Sequence, residues 1–205
     1  MTKKAKSNPV RRRPQQRRAR QTVDAVLDAA VRLMKREGFG SLTTNRIAEV
    51  AGVSIGSVYQ YFPDKRAIFI ALHERHVEQI DRIIGATLIE HAAASLDTLI
   101  HAIVEAMVDA HKGDPELYEL LMHEVPHRAD GTADFATRLH GAFRLALSSR
   151  GGELKNGRDL DRRAFIVTHM VESLCHGAVL RRPSGLSLRE ATEEVVRAVL
   201  AYLRE

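Results

Sequence analysis

Apolar residues recur at spacings of three and four along most of this chain, and this pattern limits its fold more than any other feature. In the first such segment the apolar positions are Val23, Val26, Leu27, Ala30, Val31 and Met34. Positions spaced in this way lie on one face of an α-helix. No stretch alternates with a period of two long enough to predict a sheet. The sequence therefore predicts an all-α fold.

About nine helices are expected, separated by glycine and proline. The first runs from about Gln21 to Glu37 and ends at Gly38. Two short helices follow, with Thr43 and Ser54 as N-caps, and a longer one starts after Pro63-Asp64. The later segments are Leu96 to His111, Pro115 to Val125, Ala133 to Ser149, Asp159 to Leu180 and Leu188 to Leu203.

Positive charge is concentrated at the N-terminus. Residues 1–20 contain nine basic and no acidic side chains, whereas the rest of the chain has 22 basic against 26 acidic residues. With two prolines and no apolar periodicity, this segment is expected to be a disordered basic arm. Such an arm favours a polyanion such as nucleic acid, although a solubilising or targeting arm has the same composition.

Cysteine content and hydropathy give the remaining limits. A single cysteine, Cys175, cannot form an internal disulfide. No apolar run reaches the ~18 residues of a membrane span, and no apolar stretch follows the N-terminal charges as in a secretory signal. A cytoplasmic protein with no membrane partner is expected.

A helix-turn-helix is predicted between Thr43 and Lys65. Two short helices joined by a turn at Gly52 can present the second helix to the major groove of DNA. Ile47, Val53 and Val58 are expected to form the apolar wedge between them, and Ala48 suits a close crossing. The small residues Ser54, Gly56 and Ser57 at the start of the second helix permit close approach to bases and phosphates.

The same residues resemble a known family. Gly38-Phe39, Ile47-Ala48, Ala51-Gly52-Val53-Ser54 and, above all, the run Tyr59-Gln60-Tyr61-Phe62-Pro63-Asp64-Lys65 are similar to the DNA-binding domain of the tetracycline-repressor (TetR) family. The similarity is detailed over residues 21–70, and the later helices match in number, length and order. After the basic arm of residues 1–20, it implies a DNA-binding domain over 21–66 and a ligand-binding and dimerisation domain over 67–205.

The resemblance also implies roles for single residues. Thr44 and Asn45 would contact the phosphate backbone, as would Tyr61 and Lys65. The major groove would be faced by Ile55, Gly56, Ser57, Tyr59 and Gln60. Gln60 can pair with adenine through two hydrogen bonds. Basic arms of other helix-turn-helix proteins reach into the adjacent minor groove, and Arg17, Arg18 and Arg20 are near enough to contact it or the flanking phosphates. Of Tyr59 and Tyr61, one is expected to pack in the small core of the domain and not to contact DNA.

The C-terminal helices are predicted to bind a small molecule and a second subunit. They contain more apolar residues than one packing face needs, and methionine and phenylalanine also line adaptable pockets. Candidate ligand residues are Met107, Met122, Phe143, His169, Glu172 and His176. By resemblance, a homodimer would form through residues 159–180 and 187–203, with Val195 and Val199 at the partner surface, and would bind a double-stranded DNA operator.

Two histidine patterns invite a metal interpretation. His123-Glu124-Val125-Pro126-His127 matches the HExxH zinc-protease motif, but Pro126 interrupts the helix that this chemistry requires. His169, Glu172 and His176 share one helical face. They could line a ligand pocket, bind a metal, act across a dimer interface or be satisfied polar groups that fix helix pairing. No metal and no cofactor are expected.

The leading hypothesis is a ligand-responsive repressor released from a palindromic operator by an inducer, and the same fold could also serve an activator. An enzyme would need a nucleophile–base pair or a metal site, for which the candidates are weak. A structural nucleic-acid protein acting through its arm would show little sequence preference.

Overall fold

The computed structural model describes residues 17–38, 40, 42–113, 115, 117–119, 130–152, 154 and 159–205, with the backbone alone for residues 130–136. Within these residues there are eight helices and no strand. They are α1 Arg17–Glu37, α2 Thr44–Ala51, α3 Ile55–Tyr61, α4 Lys65–Glu90, α5 Leu96–Lys112, α6 Asp130–Ser148, α7 Leu160–Leu180 and α8 Leu188–Arg204. Of the further helix predicted from Pro115, residues 115 and 117–119 are helical and the remainder lies outside the described residues. The all-α prediction is confirmed.

The first compact unit holds α1 to α3 and α4 as far as Arg75, together with residues 117–119. Its core includes Leu33, Ile47, Val58, Phe62 and Ile68, all fully buried. Burying one such side chain contributes about 1.5–3 kcal/mol. The guanidinium of Arg75 donates a 2.8 Å hydrogen bond to Asp28, which joins the N-terminal half of α4 to α1. This unit therefore carries the helix-turn-helix on a packed support.

The second compact unit contains α4 from His76 onward and α5 to α8. Its core combines the stripe of α5 with the inner faces of α7 and α8, including Ile103, Met107 and Val171. The buried Arg150 donates hydrogen bonds of 2.7–3.0 Å to the carbonyls of His91, Ala92 and Ala94, just beyond the end of α4. These bonds satisfy acceptors that a helix end leaves unpaired.

The structure corrects the predicted extent of the basic arm. Helix α1 begins at Arg17, so residues 17–20 belong to a helix and not to a disordered segment. Residues 1–16 lie outside the described residues. The compact units divide inside α4 after Arg75, whereas the sequence placed the boundary at residues 66 and 67. A hydrophobic pattern cannot show this division, because α4 continues as one helix through it.

The structure also corrects the position of Val195 and Val199. Both are buried in the core of their own unit. The buried face of α8 is broad and comprises Ala191, Val195, Val196, Val199, Leu200 and Leu203. This face is used within the chain, so neither valine offers a surface to a partner.

Candidate nucleic-acid interface

The turn between α2 and α3 is defined by Gly52, which caps α2. Gly52 adopts a left-handed conformation with φ of 68°, which glycine adopts at little cost. The next amide, of Val53, donates to the Ala48 carbonyl at 3.1 Å, and Gly52 donates to Glu49 at 3.1 Å. This pattern ends a helix sharply and redirects the chain. Ile47 and Val58 are fully buried between the helices, as predicted.

Side-chain caps set the starts of the helices around this turn. The Thr43 hydroxyl accepts a 3.2 Å hydrogen bond from the Arg46 amide, and the Ser54 hydroxyl accepts one of 3.1 Å from Ser57. The Asp64 carboxylate accepts from the Ala67 amide at 2.8 Å at the start of α4. Each such cap stabilises its helix by about 1 kcal/mol. The predicted caps Thr43 and Ser54 are confirmed.

One face of α3 is open to solvent. Ile55, Gly56, Tyr59 and Gln60 are exposed, and the Tyr59 side chain is 42% exposed. Ser57 is partly buried, and its hydroxyl lies 2.8 Å from that of Ser54. Asn45 on α2 and Lys65 at the start of α4 are also exposed. An exposed isoleucine and tyrosine beside small polar residues form a surface suited to base edges.

Tyr59 is positioned by the preceding helix. Its hydroxyl lies 3.1 Å from the Thr44 hydroxyl, a hydrogen bond that joins the first residue of α2 to the middle of α3. Two residues predicted to contact DNA are therefore brought together in the free protein. The sequence motif named both residues but did not reveal this contact.

Tyr61 is placed differently from Tyr59. It is only 8% exposed and packs in the core of the first unit. It is therefore the packing tyrosine of the pair, and a phosphate contact would have to come from its hydroxyl alone.

Arg46 on α2 is tied to two carboxylates. Its guanidinium lies 2.6 Å from Glu49 and 3.4 Å from Glu37 at the end of α1. The hydrogen bond and charge of Glu49 raise the pKa of Arg46, and the hydrogen bond with Arg36 lowers the pKa of Glu37. This network joins α1 to α2 at the surface.

The arginines predicted to belong to the disordered arm lie instead in the first turn of α1. Arg17, Arg18 and Arg20 are all exposed, and this turn contains no acidic residue. They present positive charge on an ordered helix. Contacts with DNA remain a prediction for these arginines and for the residues of α2 and α3.

Family comparisons agree with this geometry. Residues 26–72 match the family described as bacterial regulatory proteins, tetR family, and residues 95–203 match the tetracyclin repressor-like C-terminal domain. The chain belongs to the TetR family. The family consists of non-enzymatic regulators that bind DNA through the N-terminal domain and carry ligand-binding and dimerisation functions in the C-terminal domain.

Relatives and solved structures support the same assignment. The nucleoid occlusion factor SlmA of Haemophilus influenzae is 32% identical over 170 residues, covering 76% of this chain and 72% of that protein. A TetR-family transcriptional regulator from Streptomyces coelicolor aligns with a TM-score of 0.63 at 24% identity over 89% of this chain and 97% of that one. SmeT, the repressor of the Stenotrophomonas maltophilia multidrug efflux pump SmeDEF, aligns with a TM-score of 0.62 at 22% identity, covering 88% and 91%. The solved structures establish the fold.

The predicted ligand residues of this TetR-family chain lie in different environments. Met107 and Phe143 are buried in the core of the second unit. His169 is exposed on α7, where its Nδ1 donates to the Phe165 carbonyl at 2.8 Å. Glu172 is partly buried. Met122 and the HExxH-like segment, residues 123–127, lie outside the described residues.

His176 belongs to a cluster that sequence reasoning missed. The ring of His111 on α5 meets those of His76 on α4 and His176 on α7 edge to face, with centroid distances of 5.0 and 4.7 Å. The sequence did contain a signal for this cluster, because His111 continues the buried apolar stripe of Ile103, Val104 and Met107 on α5. Polar residues in an apolar stripe can mark such a cluster.

Two further absences concern the described part of the chain only. It contains no group of three or more histidine, cysteine, aspartate or glutamate side chains arranged to hold a metal ion. Within the same residues, no helix is both long and apolar enough to cross a bilayer.

Cys175 is buried. Burial raises the pKa of its thiol to about 12, which disfavours the reactive thiolate.

Proposed function

We propose that this protein is a ligand-responsive transcriptional repressor of the cytoplasm, released from a palindromic operator by a small-molecule inducer. The observation that supports it most directly is the exposed face of α3. This face presents Tyr59 and Gln60 on a short helix that is capped at Ser54 and packed through Val58. Operator recognition would use these two side chains, with phosphate contacts from Asn45 and Lys65.

A homodimer through α7 and α8 would place two such helices on one operator. Phe165 and Leu174 on α7 are 51% and 39% exposed, which is high for large apolar side chains. On α8, Ala198 and Ala201 are exposed and small enough to allow close helix packing. These residues replace Val195 and Val199 as the proposed partner surface. A twofold dimer sets recognition helices ~34–36 Å apart, which suits two half-sites one turn apart.

The inducer site is proposed within the second unit, among α4, α5 and α7. An inducer that binds better to a conformation with altered helix spacing would shift the population away from the operator-bound state.

A second candidate role comes from the SlmA relatives. Their name assigns them to nucleoid occlusion, and the identity to the Haemophilus influenzae protein extends over 170 residues. A nucleoid occlusion role would also use sequence-specific DNA binding but would require many sites spread over the chromosome. A repressor requires few sites, placed at promoters.

The experiment is genome-wide selection of bound fragments followed by titration with the selected site and random DNA at two salt concentrations. A repressor predicts a few promoter sites and a preference of about 10³-fold or more over random DNA. Tyr59→Ala should reduce that preference while the fold and the oligomeric state stay intact. Many dispersed sites would support nucleoid occlusion instead. Equal binding to both DNAs would leave only a structural, phosphate-directed role.

A further inference from the structure

A pair of hydroxyl groups joins the two helices of the helix-turn-helix at the surface of the first unit. The Thr44 Oγ1 and Tyr59 Oη atoms lie 3.1 Å apart, although the two residues are separated by 15 positions in the chain. Thr44 is partly buried in the first turn of α2, and Tyr59 is 42% exposed on α3. Because water competes for exposed hydroxyls, this hydrogen bond contributes little to the stability of the fold. Its main effect is on the position of the tyrosine.

The hydrogen bond directs the ring of Tyr59 toward the start of α2. A long side chain on a helix usually covers the residues three and four positions earlier, which here are Gly56 and Ile55. Among the described residues, only the Ser54 hydroxyl, at 3.8 Å, would lie within 4 Å of a Cβ added at Gly56, once the neighbouring residues and the helix backbone are left aside. The ring of Tyr59 therefore leaves the exposed surface at Gly56 uncovered. Bases can approach α3 there with the ring beside them.

The hydroxyl pair has a second proton with which to bind DNA. Each hydroxyl carries one proton and can also accept, so a hydrogen bond between the two uses one proton of the two. A phenol is a stronger acid than an alcohol, and its proton therefore forms the stronger hydrogen bond with an external acceptor. With DNA present, Thr44 donates to the Tyr59 oxygen and Tyr59 donates to a base acceptor. Accepting the first bond makes the phenol a better donor in the second.

Holding the ring before DNA arrives lowers the entropic cost of binding. The backbone around Tyr59 is already fixed, because its neighbours Val58 and Tyr61 are buried in the core of the first unit. The side-chain torsions of Tyr59 are the freedom that remains. Ordering one exposed side chain in an interface lowers the affinity about two- to tenfold, and a side chain that is already ordered avoids this loss.

We propose that Thr44 is a positioning residue, which holds Tyr59 in the orientation that reads a base edge and makes no phosphate contact of its own. Thr44 then determines the preference for the operator through Tyr59. This inference rests on the proposed function, in which Tyr59 takes part in operator recognition. It gives Thr44 a different role from the phosphate contact that the family resemblance implies.

The test is a double-mutant cycle on the full-length protein, with the selected operator and random DNA of equal length as ligands. Thr44→Val removes the hydroxyl but keeps the shape of the side chain. It should lower operator affinity about two- to tenfold and leave the affinity for random DNA unchanged. Tyr59→Phe should lower operator affinity about three- to tenfold. Because Thr44 acts through the Tyr59 hydroxyl, the double variant should bind the operator within about twofold of Tyr59→Phe alone.

Control variants separate positioning from a general effect on the fold. Thr44→Ser keeps the hydroxyl and should bind the operator within about twofold of the unmodified protein. Thr192→Val makes the same chemical change at a partly buried threonine of α8, whose hydroxyl donates to the Leu188 carbonyl, and should bind normally. Thermal unfolding midpoints of Thr44→Val and Tyr59→Phe should stay within about 2 °C of the unmodified protein.

The position of the ring can also be measured without DNA. The chain contains four tyrosines, so ¹³C-labelled tyrosine NMR can resolve the ring of Tyr59. Thr44→Val should increase the picosecond-to-nanosecond motion of this ring in the free protein, and Thr44→Ser should not. A purely structural role of Thr44 would shift the unfolding midpoint instead.

Three results would overturn the inference. The losses of Thr44→Val and Tyr59→Phe could multiply in the double variant, Thr44→Val could weaken operator and random DNA equally, as loss of a phosphate contact does, or Thr44→Val could bind the operator normally. If Tyr59→Phe loses operator preference in any of these cases, this inference alone is rejected and the proposed function stands. An unmodified protein with no preference for any DNA sequence would reject both.

Discussion

The two candidate sites of this molecule are built in opposite ways. The DNA-facing surface is local: Thr44, Ser57 and Tyr59 lie within 16 consecutive residues, and its geometry comes from caps and one left-handed glycine. The histidine cluster draws His76, His111 and His176 from three helices spread over 101 residues. A local site depends on short-range hydrogen bonds, whereas an assembled one depends on the packing of a whole unit. Substitutions should therefore separate function from stability in the first site and couple them in the second.

The largest effect is expected from the core that supports the assembled cluster. Val199→Asp places a charge at a fully buried position and should destabilise the protein by on the order of 4 kcal/mol or more. Denaturant unfolding followed by circular dichroism measures it. Leu145→Asp on α6, at a residue that is 73% exposed, is the control and should change stability by only about 0.5 kcal/mol. Similar values for both variants would contradict the burial of Val199.

The next effect concerns the partner surface of the second unit. Leu174→Glu should convert the dimer to monomer, because an unpaired charge in a desolvated interface costs on the order of 3–5 kcal/mol. Sedimentation velocity reports the mass. Leu145→Glu on α6, where leucine is 73% exposed, is the matched control and should remain dimeric. A dimeric Leu174→Glu protein would place the interface elsewhere.

Removal of residues 1–16 tests how far the local DNA site extends beyond its helices. This deletion removes six basic side chains and should lower operator affinity about tenfold or more at low salt. The slope of log affinity against log salt should become shallower, while base preference within the half-sites stays unchanged. Changing Arg17, Arg18 and Arg20 together to Ala should lower the operator affinity further. Equal slopes for the intact and shortened proteins would support a solubilising arm.

The assembled cluster should also make the fold sensitive to acid. The pKa values of His176 and His111 are lowered in the folded state, so the unfolded state binds more protons below about pH 6.5. Stability is then complete above pH 6.5 and is lost as pH falls, by at most about 1.4 kcal/mol per pH unit for each histidine. Denaturant unfolding at pH 7 and pH 5 measures this loss. His176→Gln should lose less stability than His169→Gln over the same range.

The smallest effect is expected at Lys65. Lys65→Ala should reduce affinity about tenfold or less on every DNA sequence and lower the salt slope by about one unit, as loss of one phosphate contact does. Unfolding should be unchanged, since the side chain is exposed. A change in base preference, or a loss of stability, would show that Lys65 does more than hold a phosphate.

Sequence patterns predicted the helix-turn-helix closely. Thr43, Gly52 and Ser54 were assigned as helix boundaries, and all three act as such. Ile47 and Val58 were expected between the helices and are fully buried there. These predictions succeed because caps and turns use hydrogen bonds between residues only three or four positions apart.

Other positions needed the packed structure. Asp159, expected as the first residue of a helix, is the N-cap of α7 with φ of 70°, and Val199, expected at the partner surface, is buried in the core of its own unit. Helical periodicity gives the width of an apolar face but not which neighbour covers it. Periodicity likewise does not distinguish Tyr59 from Tyr61. Only their burial in the structure shows that Tyr59 is exposed and that Tyr61 packs in the core.

The sequence by itself determined the helical class, the local turn geometry and the membership of the TetR family, because each depends on residues near one another in the chain. The tertiary structure decided which apolar faces are used within the chain and which remain at the surface. It also brought His76, His111 and His176 together, with Met107 holding the proton of His111 on Nδ1. Such contacts join residues far apart in sequence, and the packing of α4, α5 and α7 places them.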